Sequence, residues 1–498
     1  MERKSGLQTF LLLYFHRHLK TDIPKIHDRI FIVFSICISV ALLILATYRA
    51  VLIPLTHDEA FSFNAYAWRP VFDITGYVDS YGMPNNHILN TLLMKLDAAL
   101  FGSSTLSLRL PNLLAFCIYL FAGARLLFTF RSKGLRFAGF VLLCFNPYLF
   151  DFFSLARGYG IANGLMLLSV LQLYRWWESP SSKRAVLFFV FSALTVLSNF
   201  STLHFFFAAT AVFVFHSIKK QNPSSLKAWA RCLAIPFVSV LALGGMLYEP
   251  FRCILKWKTT YGGTTGFWHD CVIPLIASTS YHSKWNEMLL LILPVAVIIC
   301  LLFITGLSFF LLLKKENRSF PSLVLLLLLP VLFFELQHFI LGTEFPVSRT
   351  IQFVYPLFIL VLFFALDEIE KAKKILAVIA AAIGLLFIFH FGKTIRLSSV
   401  AEWAEDASNR QLLDDLQKQV KTRRLTDDVH LGITWTFEPG LNYERNYRKL
   451  SWLAPLTRDG IEGDYDFYYV NRADSLALAK RGKILLNYYP ESRTSLFR

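Results

Sequence analysis

"FIVFSICISVALLILATYRAVLIPLTHDEAF", residues 31–61, joins an apolar run to a short ionisable one. Residues 31–51 carry a single charge, Arg49, and match the ~20 mostly apolar residues that a helix needs to cross a bilayer. Pro54 then ends the run, and Thr56 leads into three ionisable residues, His57, Asp58 and Glu59. A cap residue followed by two acids suits the start of a helix, because acids in a first turn favour its dipole. The same two carboxylates lie against what reads as a membrane surface, where they can also serve chemistry. Both readings stand at this point.

The rest of the chain repeats the apolar theme. Of 498 residues, 55% are hydrophobic and only 17% charged, against about a quarter charged in ordinary soluble domains. The expectation is an all-α polytopic membrane protein. Apolar runs fall near 31–51, 107–130, 137–152, 160–177, 185–199, 203–218, 232–248, 288–313, 321–341, 350–366 and 374–391, giving about eleven expected transmembrane helices. The segment 87–101 contains Lys95 and Asp97 and reads as a juxtamembrane surface helix. The basic, partly apolar N-terminus lacks a cleavage site and reads as a short amphipathic helix.

Charge placement orients the chain. The net charge of +16 resides largely in short segments between apolar runs, such as "RSKGLR" (131–136) and "KKENR" (314–318). Their side is cytoplasmic by the positive-inside rule, and no nucleic-acid-binding pattern accompanies them. The expected organisation is a cytoplasmic segment 1–30, a transmembrane domain 31–391 with a first outer loop 52–106, and an extracytoplasmic C-terminal domain 392–498. In the last, 400–420 reads as an amphipathic helix, and "HLGITWTF", "YDFYYV" and "KILLNYY" as strands, hence a small α/β domain. Cys253 and Cys271 share one outer loop and are as readily paired as free.

The outer loops collect the chemically capable residues. Adjacent helical residues point ~100° apart, so Asp58 and Glu59 should have different partners, one as general base and one as an orienting group. "PNNHIL" offers Pro84, Asn86 and His87, with a turn and helix cap explaining the first two better than the histidine. His57, Asp58 and His87 can make a divalent-metal site, although their spacing matches no metal motif. Arg109, Arg157 and Arg349 sit at outer ends of expected spans. Snorkelling accounts for an arginine there, while several guanidiniums together suit a phosphate at headgroup depth. Glu335 and His338, three apart on one helix, are suspects as ionisable residues within a span. Tyr159, His204, Glu249, Lys256, His269, Asp270 and His282 are weaker candidates in outer loops.

No P-loop or dinucleotide fingerprint is present, so an outward-facing reaction needs a donor other than a cytoplasmic nucleotide. The order of an acidic pair in the first outer loop, "RLPN" (109–112), "ARGYG" (156–160) and "SRTIQFVYPLFIL" (348–360) resembles the GT-C superfamily. It is most similar to the bacterial branch containing protein O-mannosyltransferases and lipid A aminoarabinose transferase (families 39 and 83). The resemblance implies a glycosyltransferase that takes a sugar from polyprenyl phosphate on the periplasmic face of a bacterial inner membrane. The acceptor is a hydroxyl on a protein, lipid or glycan. Asp58 is then the base with Glu59 beside it. Arg157, Arg349, Arg109 and Tyr159 then hold the donor phosphate, while Asn86, His87, His204, Glu335 and His338 are expected from their own positions, not from the resemblance, to bind or orient substrate. Where relatives carry a His-Pro-Pro segment, this chain has "PNNHIL". A polymerase or ligase of lipid-linked glycans is the alternative enzyme. A transporter or flippase of lipid-linked sugars is the alternative of another class, but transporters show internal repeats and broken helices.

Overall fold

The computed structural model describes residues 26–78, 85–221, 223–257, 262–281, 286–314, 319–369, 373–424 and 428–498. The N-terminal amphipathic helix, Pro84 and His282 fall outside them.

Seven helices among the described residues are long and apolar enough to cross a membrane, not eleven. The other four apolar runs do form helix, but short or less apolar helix. The run 137–152 is broken in two, at Cys144 and Pro147. Asn146 caps the second piece by accepting from the Leu149 N–H at 3.0 Å, and Pro147 starts it, where a missing N–H costs nothing. Helices Ser182–Ser198 and Val354–Glu368 have 17 and 15 residues. Gly158–Glu178 has length but carries Asn163, Gln172 and Arg175, and most of its residues are buried. Protein surrounds that helix, so it does not need a lipid-facing composition.

Its packing brings the site together. Helix Gly158–Glu178 lies against Thr105–Leu127 and Ser182–Ser198. A Cβ on Gly164 would stand 2.5 Å from the Ala115 carbonyl oxygen, so the glycine permits the close approach of the first pair. Gly158 does the same at the other contact, 1.9 Å from the Ser198 carbonyl oxygen. The expected surface helix appears as Ile88–Phe101, with Lys95 Nζ donating to the Ala67 carbonyl at 3.1 Å.

After the last long helix, Lys373–Thr394, the chain forms a four-stranded sheet with helices. The strands are β1 (Leu431–Ile433), β2 (Phe467–Val470), β3 (Leu485–Tyr489) and β4 (Thr494–Phe497), in the order β1-β2-β4-β3. β1 and β2 run parallel across the helix Glu438–Tyr447, and the other pairings are antiparallel. The final strand, "TSLF", is buried throughout and adds a fourth strand to the three expected ones. The expected amphipathic helix is Asn409–Arg423, preceded by a short helical turn at Ala404–Ser408.

A stretch around residues 396–410 ties this part to the helices. Arg49, fully buried, donates to the carbonyls of Arg396 and Ser399 and pairs with Asp151 at 2.5 Å. Asp151 in turn accepts from the Ala401 N–H and the Tyr281 hydroxyl. Arg410 reaches the carbonyls of Val51 and Leu52. Cys253 and Cys271 are free, their sulfurs turned to the carbonyls of Gly76 and Pro346.

Candidate active site

The helix His57–Ser62 starts with a capping box: the Glu59 carboxylate accepts from the Thr56 N–H at 3.0 Å and its hydroxyl at 2.9 Å. Glu59 does more than cap. Arg109 Nε and Nη2 donate to Glu59 Oε1 and Oε2 at 2.8 and 2.6 Å, a bidentate pair with both side chains fully buried. The remaining Arg109 donors go to the carbonyls of Ala50, Ile53 and Pro54. All five guanidinium N–H groups are therefore committed within the protein. Arg109 was expected to hold a phosphate, and it has no donor left for one.

Glu59 also fixes the next part of the site. Its Oε1 accepts from the Ala156 N–H, while Asn90 Nδ2 donates to the Ala156 carbonyl at 2.9 Å. Both backbone groups of the residue before Arg157 are thus pinned. Burial would raise the Glu59 pKa, but Arg109, with the Thr56 and Ala156 N–H groups, outweighs it and holds the carboxyl below its ordinary value.

Asp58 points elsewhere. Its Oδ2 lies 3.3 Å from Arg157 Nη2 and 3.4 Å from Arg349 Nη2, and its Oδ1 is 3.4 Å from Asn85 Nδ2. Every one of these contacts is long for a charge-assisted hydrogen bond. Burial again acts to raise the pKa. The guanidiniums of Arg157 and Arg349 overcome it, with smaller help from His57 and Asn85, so Asp58 is held as a carboxylate.

The two arginines arrive from distant elements. Arg157 occupies the cap position of Gly158–Glu178, is 1% exposed, and donates to Ser62 Oγ at 3.0 Å and to Asn85 Oδ1. Its Nε is buried without a partner. Arg349 lies in the turn Ser348–Thr350, where Ser348 adopts a left-handed φ of 45°, uncommon for a residue with a side chain. Its Nη1 donates to Glu402 Oε2 at 2.9 Å, and the guanidinium sits 5.0 Å from the Trp403 ring centre.

His87 and Tyr159 complete the cluster. Their rings meet edge to face at 4.6 Å, and Arg157 lies 5.8 Å from the Tyr159 ring centre. His87 Nε2 is buried and has no partner. Burial, and then the Arg157 guanidinium, keep this imidazole well below its usual pKa against the opposing Ser198 carbonyl, so it is neutral.

Other expected members are engaged with partners of their own. Asn86 holds its own loop, donating to the Ile74 carbonyl at 3.0 Å and accepting from the Thr91 hydroxyl at 2.8 Å. His204 stacks on Phe334 and bonds Gln337 at 2.6 Å. Glu335 accepts from the Phe267 N–H at 3.3 Å, and His338 stacks on Phe345 and bonds the Thr343 carbonyl. Asp270 caps a turn by accepting from the Thr265 and Gly266 N–H groups.

The suggested metal trio is not assembled. Among the described residues no three His, Cys, Asp or Glu side chains converge on a point suited to a metal. His57 bonds the Thr436 carbonyl through Nδ1, and its backbone N–H donates to Asp406. The residues missed from sequence are Asn85, Glu402, Trp403 and Asp406. The last three sit in "EWAEDASN", which reads as an ordinary acidic helix start.

No family model and no curated protein matches the chain. Solved structures do share its fold. The crystal structure of ArnT from Cupriavidus metallidurans bound to undecaprenyl phosphate superimposes with a TM-score of 0.54 at 10% identity, covering 94% of this chain and 97% of that one. The same protein in the apo state gives 0.49 at 10% identity, covering 93% and 97%. The fold is thus that of an α-helical polytopic membrane protein similar to ArnT.

Proposed function

We propose that this protein is a membrane glycosyltransferase that moves a sugar from polyprenyl phosphate to an acceptor hydroxyl. The observation that carries the reading is Asp58: a buried carboxylate held loosely between two arginines that come from segments far apart in sequence. Permanently satisfied ion pairs make short contacts, as Arg109 and Glu59 do. Long contacts at a buried carboxylate leave the three groups ready to exchange partners. The unpartnered Arg157 Nε and His87 Nε2 beside it are further polar atoms with capacity for a ligand.

The chemistry follows from these groups. The donor phosphate, an anion, takes the guanidiniums of Arg157 and Arg349, with Tyr159 against it and neutral His87 able to bond a hydroxyl. Asp58, released from its arginines, regains basicity and accepts the proton of the acceptor hydroxyl. The acceptor oxygen forms its bond to the anomeric carbon as the carbon–oxygen bond to the phosphate breaks. The electron pair leaves on the phosphate oxygen, which the arginines stabilise. With Glu59 locked onto Arg109 and Glu402 held by Arg349 and Tyr148, Asp58 is the one loosely held carboxylate, and a single displacement with Asp58 as base inverts the configuration. Glu59 and Arg109 position rather than react.

The ArnT structure bound to undecaprenyl phosphate supports a polyprenyl phosphate donor on a similar fold. Kinship with families 39 and 83, a site on the periplasmic face of a bacterial inner membrane, a cytoplasmic N-terminus and a periplasmic C-terminal domain belong to the same proposal. Purified protein incubated with polyprenyl-phosphate sugars should release polyprenyl phosphate, and Asp58→Asn should not. Wild type that turns over none of these donors sinks the reading. NMR of the product's anomeric centre tests inversion.

A further inference from the structure

The charges around Asp58 cancel. Arg157 and Arg349 contribute two positive charges, Asp58 and Glu402 two negative ones, and Arg109 neutralises Glu59. A site built only to attract a phosphate would not spend a second carboxylate in this way. Glu402 is nevertheless firmly held: Oε2 takes Arg349 Nη1 at 2.9 Å, and Oε1 accepts from the Tyr148 hydroxyl. The neighbouring Trp403 packs against Arg349 and, edge to face, against Phe152 at 6.1 Å. One residue earlier, the Ala401 N–H is bound to Asp151, itself paired with Arg49. Glu402 is fixed from three sides.

Arg349 therefore has one tight carboxylate partner and one loose one. We propose that Glu402 is a positioning residue of the transfer site, anchoring Arg349 through Nη1 so that Nη2 exchanges Asp58 for the donor phosphate and gives it up again after transfer. The stretch 396–410 is then part of the site rather than a connector to the C-terminal sheet. The inference rests on the proposed transferase reading. It has a distinctive consequence, because the Glu402 charge opposes phosphate binding while the anchor serves turnover.

Glu402→Gln is close to isosteric: its carbonyl can accept from Arg349 and its amide can meet the Tyr148 oxygen. Removing the charge leaves the site one unit more positive and leaves Asp58 as the one carboxylate that competes with phosphate for Arg349. Undecaprenyl phosphate should bind the variant in nanodiscs about three- to tenfold more tightly, while kcat falls about tenfold through a weaker base in the more positive site and slower product release. Glu402→Asp keeps the charge and should bind within about threefold of wild type. Thermal unfolding of the same samples reports on folding.

A folded Glu402→Gln that binds no more tightly than wild type overturns the inference while an active wild type leaves the transferase reading standing. The same holds if Glu402→Asp shows equal tightening, since charge is then not the cause. Wild type that neither binds undecaprenyl phosphate nor turns over polyprenyl-phosphate sugars overturns both.

Discussion

Asp58 and Glu59 are joined by one peptide bond and share no side-chain partner. Glu59 is bound on both oxygens by Arg109 at 2.6–2.8 Å, while Asp58 meets Arg157 and Arg349 at 3.3 and 3.4 Å. The ~100° between successive helical positions turns one carboxylate into the protein and the other toward the cluster of arginines. Two acids that look alike in the sequence are thereby given different surroundings.

That division predicts opposite outcomes for two conservative changes. Asp58→Asn should lower turnover by about 100- to 10,000-fold, the range expected for a lost general base, and should destabilise less than the loss of a short buried pair, because its contacts with Arg157 and Arg349 are long. Glu59→Gln leaves Arg109 buried with an uncompensated charge, and should cost about 3–5 kcal/mol of stability. Thermal unfolding beside polyprenyl phosphate release separates them. Equal unfolding by both variants would contradict the assignment.

The arginines should divide in the same way. Arg157→Lys loses the planar fork that reaches Asp58, Ser62 and Asn85, and should weaken undecaprenyl phosphate binding about tenfold or more without unfolding the chain. Arg109→Lys cannot replace five directed N–H groups and should destabilise by several kcal/mol, about 3–5 on the scale of a broken buried pair. Binding in nanodiscs and unfolding temperature, measured on both variants, provide the check. An Arg109→Lys protein that is stable but deaf to phosphate would return Arg109 to the donor site.

Much of this site is legible in the chain because its parts carry local signals. "THDEAF" announces a capped helix start, and "ARGYG" places an arginine at the start of another helix. What stays hidden is set by distance. Nothing in "RLPN" says that Arg109 will be consumed by an acid 50 residues earlier. Glu402 and Asp406 look solvated until the fold lays them against Arg349 and His57. The difference between eleven expected spans and seven has a related cause. Among the described residues seven helices are long and apolar enough, and Gly158–Glu178, enclosed by other helices, carries polar residues that lower its hydropathy without requiring it to face lipid. In "FNPYLF" the break in the third run was visible as an Asn-Pro cap.

The glycine after Arg157 gives a steric prediction. A Cβ on Gly158 would stand 1.9 Å from the Ser198 carbonyl oxygen and 2.8 Å from His87. The first clash is with backbone and has no flexible end to yield. Gly158→Ala should therefore cost about 1–3 kcal/mol and reduce turnover by displacing Arg157 and His87 together. Gly244→Ala, within the helix Leu226–Trp257 and with nothing within 4 Å of its Cβ, is the control: it should leave turnover unchanged and raise stability by about 0.5–1 kcal/mol. Unfolding temperature and polyprenyl phosphate release on the pair decide the matter.

Asp406 links the C-terminal part to the helix that bears Asp58, and it should give the stability a recognisable pH dependence. Its carboxylate accepts from the His57 N–H at 2.8 Å and from Asn409 Nδ2 at 3.1 Å. Burial pushes its pKa from 3.8 up to about 7; the His57 and Asn409 bonds oppose the rise, and the charges of Asp58 and Glu405 add to it. The folded state therefore holds this proton more tightly than the unfolded chain does. The contribution of Asp406 to stability is fully present below about pH 4, declines as pH rises toward about 7, and is constant beyond. Glu59, with its lowered pKa, acts in the reverse sense below its ordinary value and does not mimic this window. Asp406→Asn removes the titrating group, so its unfolding temperature relative to wild type should climb between pH 5 and 7 and then level, at roughly a few degrees per kcal/mol. A difference that stays flat across that window would mean that Asp406 is already ionised at pH 5, and that its bond to His57 is an ordinary charged cap.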